Sequence, residues 1–391
     1  MAERLRRFIE RSEDALRRPA RTAEALETIA VLVGAAALVL GFLISLMLFW
    51  GAQLSISGPG SIGVYAAIGG GIVAVIAFVL GRVAVRPQRE ASKEQSAGED
   101  AAGEDTAEVR LRWYDLIAIS AAYGAVAVLG WLGIAQLLEL SFIGAPVYAF
   151  PGAVLVGVAF ALTAYIAFLG AAALTPLSLS LALAIFLVIG AFASMLESTD
   201  PDWWRDNLSA LGMASNQAAP AFNFTLIISG VIVTTIARYA TAGLPVGTAL
   251  QRRRRTQVRA GLVLVGVLLA CVGVFPVDRF FLVHNTVATG MAVIYAVVVC
   301  ALPWLLPTLP RVFFGVGYIF VAVIILLGVF FATGYYNLTA VELIAGILIF
   351  TWIILFLRTA GAASASQNAS PRSQESASTR ANQASESRNF T

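Results

Sequence analysis

Two short polar stretches interrupt an otherwise apolar chain and carry most of the side chains able to do chemistry. The first is Glu197-Ser-Thr-Asp-Pro-Asp-Trp-Trp-Arg-Asp-Asn-Leu-Ser-Ala-Leu-Gly212, and the second is Gly273-Val-Phe-Pro-Val-Asp-Arg-Phe-Phe-Leu-Val-His284. His284 is the only histidine in the sequence. An imidazole exchanges a proton near neutral pH, and a carboxylate beside it orients the ring and strengthens its basicity. Asp278 is the carboxylate closest in sequence, and Ser209 or a bound water is the candidate nucleophile. His284, Asp278 and Ser209 together suit cleavage or transfer of an acyl or phosphoryl group on a lipid headgroup. Asp206, Asn207, Asn223, Trp203 and Trp204 are the candidate binding residues, with the two indoles suited to a membrane interface. Interfacial caps and solvated loop residues account for the same pattern without any chemistry, because a lone histidine with scattered carboxylates matches no fixed catalytic spacing.

A metal centre is not expected, since one histidine and two cysteines within apolar runs, Cys271 and Cys300, fall short of the usual three or four ligands. Nothing in the sequence calls for a cofactor. Membrane lipids are the expected partners, and nucleic acid is not.

The elements that must position these residues are membrane spans. Of the 391 residues, 59% are hydrophobic and 13% charged, and the mean hydropathy is +0.83; a soluble domain has about 25% charged residues. Apolar runs long enough to cross a hydrocarbon core recur ten times, at about 25–50, 60–85, 114–139, 147–170, 177–196, 221–241, 260–276, 285–306, 312–333 and 340–358. The fold class expected is therefore all-α, a polytopic bundle of about ten spans. The connection from Gly170 to Pro176 is uncharged and short, so fusion of the fourth and fifth runs would invert everything after it.

Charge supports the count. With the N-terminus inside, 24 of the 26 basic residues fall in cytoplasmic segments and only Arg205 and Arg279 fall outside, as the positive-inside rule requires. Both ends are then cytoplasmic, and the plasma membrane of a prokaryote is the expected location, with 25 arginines against one lysine pointing to a GC-rich source. Both polar stretches lie on the outer side. No run has an ionisable residue near its middle, which weakens an ion-coupled pump.

The expected organisation has six parts. Residues 1–23 form a basic amphipathic cytoplasmic segment, and 24–85 form a two-span hairpin. Residues 86–112, rich in Glu, Asp, Ala, Ser and Gly, read as a disordered cytoplasmic linker. Residues 113–176 hold spans three and four, 177–358 a six-span membrane core, and 359–391 a disordered cytoplasmic tail.

The order Asn207-Leu-Ser-Ala-Leu-Gly212, Ala221-Phe-Asn223 opening a span, Gly273-Val-Phe-Pro-Val-Asp278, then His284 with Ala288, resembles the membrane family catalogued as domain of unknown function 998. The likeness covers about residues 177–358 and extends more distantly to the damage-regulated autophagy modulators and the proteins of GPI-anchor remodelling. The family carries no assigned activity. What the resemblance implies is a shared six-span layout, with Asn207, Ser209, Gly212, Phe222, Asn223, Pro276, Asp278 and His284 at its motif positions. Three functions remain open: a lipid-handling protein or enzyme with an outer site, a non-catalytic assembly or stress-related protein acting through its cytoplasmic segments, and a transporter built from two inverted halves.

Overall fold

The computed structural model describes residues 23–99, 113–213, 215, 218–241, 244 and 247–360. Ten helices long and apolar enough to cross a membrane are present among them. They are α1 (Ala23–Phe49), α2 (Ile62–Glu99), α3 (Trp113–Ser141), α4 (Ala149–Ala172), α5 (Pro176–Glu197), α6 (Ala219–Ala240), α7 (Ala249–Val274), α8 (Phe281–Leu305), α9 (Arg311–Ala332) and α10 (Leu338–Ala360). This is a multi-pass, all-α membrane protein. The amphipathic segment expected before residue 23, residues 100–112 of the expected linker and nearly all of the expected tail lie outside the described residues. The backbone of α2 continues as helix beyond the apolar stretch that ends at Val85.

Local chemistry explains the helix boundaries on which the span count depends. Thr175 caps α5: its hydroxyl accepts the Ser178 amide at 3.1 Å, and Ser178 Oγ accepts the Thr175 amide at 2.8 Å. Pro176, the first helical residue, has no amide to lose there. Runs four and five are thus separate helices, and the alternation of sides is preserved. Thr248 and Gln251 form the same reciprocal cap at the start of α7. That helix begins eleven residues before its apolar run at about residue 260, so Arg252–Arg255 stand on a helix and not in a loop.

Helix packing relies on small residues, because lipid tails give apolar side chains no reason to prefer protein over bilayer. In the first four spans α4 packs against both α1 and α2, and α2 packs against α3. α3 then joins this group to α5 and α6. In the C-terminal six, Gly230 of α6 faces Gly266 and Ala270 of α7 so closely that a Cβ at residue 230 would meet their backbone. The aromatic centre of this half is Trp352 of α10, stacked on Phe313 of α9 at 5.6 Å and edge-on to Tyr295 of α8 at 5.4 Å. Large apolar side chains such as Met47, Ile143 and Leu282 point outward, as a lipid-facing surface requires.

A two-residue antiparallel pairing escaped the hydropathy pattern. Gln53–Leu54 after α1 aligns with Val147–Tyr148 before α4, clasping two connections at the same end of the bundle. The α5–α6, α7–α8 and α9–α10 connections share that end, opposite the arginine-rich start of α7.

Candidate functional site

The α5–α6 connection contains two short 3₁₀ helices, Trp203–Arg205 and Leu208–Gly212. Neither is long enough to be stable alone, so other elements must hold them. Asn337, just before α10, donates from Nδ2 to the Trp204 carbonyl at 2.9 Å and accepts the Ala340 amide on Oδ1 at 3.1 Å, capping its own helix. Glu342, in the second turn of α10, accepts the Leu208 amide on Oε2 at 2.6 Å and hydrogen-bonds Ser209 through both its amide and its hydroxyl. A carboxylate thus caps the second 3₁₀ helix, where orphan amides favour negative charge. Asn223 of α6 donates from Nδ2 to the Gly212 carbonyl at 2.9 Å and closes the other end. Gly212 is required by space: a Cβ there would lie 2.5 Å from Asn223 Oδ1 and 2.9 Å from the Phe222 ring.

The second connection supplies the histidine. α7 ends at Val274, and a turn in which the Phe280 amide donates to the Pro276 carbonyl at 2.9 Å leads into α8. His284 sits in the first turn of α8 and is 3% exposed. Its Nδ1 lies 2.7 Å from the Phe275 carbonyl, and its Nε2 lies 3.0 Å from Ser209 Oγ. Ser209 is 8% exposed.

The network fixes the tautomer. A carbonyl only accepts, so Nδ1 carries the proton that it donates to Phe275. In the neutral ring, Nε2 then presents its lone pair to the Ser209 hydroxyl. Glu342 stands on the other side of the same hydroxyl. Imidazole, serine and carboxylic acid on one hand, and imidazolium, serine and carboxylate on the other, contain the same number of protons. They differ by one proton passed along the serine oxygen. Ser209 is thus held between an acid–base group on α8 and another on α10.

Beneath this network lies a cavity of about 510 Å³, lined by α5, α6 and α10 with Leu208 and Leu211 of the second 3₁₀ helix. Among the described residues Glu342 is its only charged lining residue; Phe192, Phe222, Leu226, Ile347 and Phe350 are typical of the rest. Along α10 it reaches from Glu342 to Ile354, roughly 18 Å at 1.5 Å per residue. The space is therefore long and mostly apolar, with a carboxyl at one end.

Among the residues expected from sequence, the structure joins Ser209 to His284 and ties Asn223 into their support. Trp203 is half-buried and packs with Leu211, Ala218 and Phe222. Trp204 is 48% exposed, with the Arg205 guanidinium 5.4 Å from its ring. Asp206 and Asp278 are exposed, and His284 is oriented by the Phe275 carbonyl in place of a carboxylate. Asn207 flanks the second 3₁₀ helix, with its buried Oδ1 lacking a hydrogen-bond partner. Arg205 pairs with Asp202 at 3.1 Å where both are exposed, an arrangement worth little energetically. Among the described residues no group of three or more His, Cys, Asp or Glu is placed to hold a metal.

Sequence reasoning gave no role to Glu342 or Asn337. The signal for Glu342 was a lone carboxylate two residues inside an otherwise apolar run, which in a membrane helix marks a functional or paired group.

No curated protein and no solved structure matches this chain. Residues 180–359, spanning α5 to α10 and every member of the network above, match the model of the family described as "Protein of unknown function (DUF998)", so the resemblance carried by Asn207, Ser209, Asn223 and His284 holds over the C-terminal six spans.

Proposed function

We propose that this protein binds a single-chain or chain-splayed lipid in the α5–α6–α10 cavity and transfers or hydrolyses an acyl ester at the Ser209–His284 pair. The observation that carries this reading is the 3.0 Å contact between Ser209 Oγ and His284 Nε2 beside the one charged residue lining an apolar cavity. A mostly apolar pocket with a few convergent polar groups is the usual form of a ligand site. In this reading the acyl chain lies along α10, with its ester near Glu342. Nε2 takes the Ser209 proton as Oγ attacks the ester carbonyl, and passes it to the leaving alcohol as the ester bond breaks. Water then releases the acyl group by the reverse path. Burial keeps bulk water from the reacting group.

The site belongs to the outer leaflet of a prokaryotic plasma membrane if the arginine-rich end of the bundle is cytoplasmic, as the positive-inside rule requires. The transporter reading gains nothing from the spans, which run as continuous helices with Pro303 confined to the last turns of α8. The non-catalytic reading is favoured by one observation: Glu342 also serves as a cap for the second 3₁₀ helix, so the network doubles as a clamp.

Incubation of the purified protein in nanodiscs with ester lipids, followed by mass spectrometry of products, separates these readings. Turnover that vanishes in Ser209→Ala and His284→Ala while both variants keep their unfolding temperature within a few degrees supports catalysis. Turnover unchanged in Ser209→Ala, or none with any ester lipid, overturns it.

A further inference from the structure

At the opposite end of the bundle, the start of α7 holds positive charge turned toward protein. Val258, Leu262 and Val265 are buried and define the face of α7 that packs into the bundle. Arg255 and Arg259 are four residues apart and flank Val258 and Leu262 on that same side. Both are half-buried, whereas Arg253 on another face is exposed. Arg259 donates from Nε to Thr241 Oγ1 at 2.9 Å, and Thr241 is itself buried with its hydroxyl committed to the Ala237 carbonyl at 2.8 Å. The threonine fixes the guanidinium without neutralising it.

Arg259 is partly desolvated, and two further cations, Arg255 and Arg238, act on it. The carboxylate facing this region, Asp115 of α3, is paired with Arg238 at 3.3 Å, and the Arg238 guanidinium also lies 4.8 Å from the Tyr114 ring. Three guanidiniums therefore converge against one carboxylate, and Arg255 has no hydrogen-bond or ion-pair partner among the described residues. Like charges four apart on a helix repel, more so when half-buried. Arg259 stands where the apolar run of α7 begins, the end of a span at which basic side chains meet lipid headgroups. A guanidinium whose Nε is tied to the protein still presents its terminal nitrogens as a fork, the geometry that grips phosphate oxygens in two places.

We propose that Arg255 and Arg259 bind a phosphate group, that of an anionic phospholipid of the adjoining leaflet, at the interface formed by α6 and α7. General attraction of arginines to an anionic surface does not distinguish Arg255 from Arg253; a built site does.

The test uses the full-length protein and its variants Arg255→Gln, Arg259→Gln and Arg253→Gln, with native mass spectrometry of retained lipid and titration with phosphatidylglycerol against phosphatidylcholine in mixed micelles. Inorganic phosphate is titrated separately by thermal shift. The expected result is preferential retention of phosphatidylglycerol by the wild type. Affinity should fall at least about tenfold in Arg255→Gln and Arg259→Gln, as expected for loss of a charge-assisted contact, with little change in Arg253→Gln. Stabilisation by inorganic phosphate that is lost in the same two variants assigns the site to the phosphate group itself. Equal loss in all three variants, or no preference for phosphatidylglycerol together with no response to phosphate, overturns the proposal. Arg255→Gln removes no partner of the Arg259–Thr241 bond, and the unfolding temperature of each variant separates loss of binding from loss of fold.

Discussion

Ser209 Oγ lies 3.0 Å from His284 Nε2, although the two residues are 75 positions apart, one in the α5–α6 connection and the other in the first turn of α8. The contact closes a chain that runs from the Phe275 carbonyl through the imidazole and the serine to Glu342 of α10. Three helices and one loop are fastened by it, and its Glu342 end lines an apolar cavity.

Removing the imidazole leaves the Phe275 carbonyl without its partner and the Ser209 hydroxyl with Glu342 alone in a buried setting. His284→Ala should therefore cost about 1–3 kcal/mol of stability, read as a fall in unfolding temperature in detergent. Any ester turnover should fall at least about a hundredfold, since proton transfer by a positioned base contributes that much or more. A variant with undiminished turnover would exclude His284 as the base.

Glu342 has two functions that substitution can separate. Glu342→Gln keeps a carbonyl oxygen for the Leu208 amide but removes the acid–base group, so the fold should persist while any proton passage through Ser209 is impaired. Glu342→Leu strands the Leu208 and Ser209 amides and should cost about 1–3 kcal/mol. Indistinguishable unfolding temperatures for the Gln and Leu variants would contradict the capping role.

Gly212 is needed for the close approach of Asn223 and Phe222, not for an unusual backbone angle. Gly212→Ala should push the second 3₁₀ helix away from α6 and cost about 1–3 kcal/mol, the usual penalty for overpacking. Limited proteolysis of the α5–α6 connection checks this, since the displaced segment should be cut faster than in the wild type.

The Gly230–Gly266 contact sets the spacing of α6 and α7. Gly230→Leu should prevent that approach and abolish a monodisperse peak on size-exclusion chromatography, because its side chain meets the Gly266 carbonyl and Ala270. Gly315, with nothing near the position of its Cβ, should tolerate Leu and serves as the control.

The ten spans were legible because each needs about 20 apolar residues and arginine alternates with the sides of the membrane. The pairing of Ser209 with His284 was legible only as two polar stretches on one side. The partner assigned to the histidine was Asp278, near in sequence, but a turn of five residues brings the Phe275 carbonyl to Nδ1 and leaves Asp278 exposed. Glu342 lies 58 residues beyond His284, and its approach to Leu208 depends on how α10 packs against α5 and α6, a distance that spacing does not encode. A short helix following Asp206 or Asn207 was legible, but its caps were not: the Asn207 side chain makes no cap bond, and the ends of Leu208–Gly212 are held by Glu342 and Asn223.

Gly346 offers the most direct test of lipid binding, because it lines the cavity and has nothing within 4 Å of where a Cβ would stand. A phenylalanine there enters empty space and fills the cavity one helical turn from Glu342, with Ser209, His284 and Glu342 themselves unchanged. Lipid extracted from purified wild type and from Gly346→Phe, quantified by mass spectrometry at matched unfolding temperature, gives the answer. A lipid retained by the wild type and lost from Gly346→Phe is expected; the same lipid retained in equal amount by both would rule out binding in this cavity.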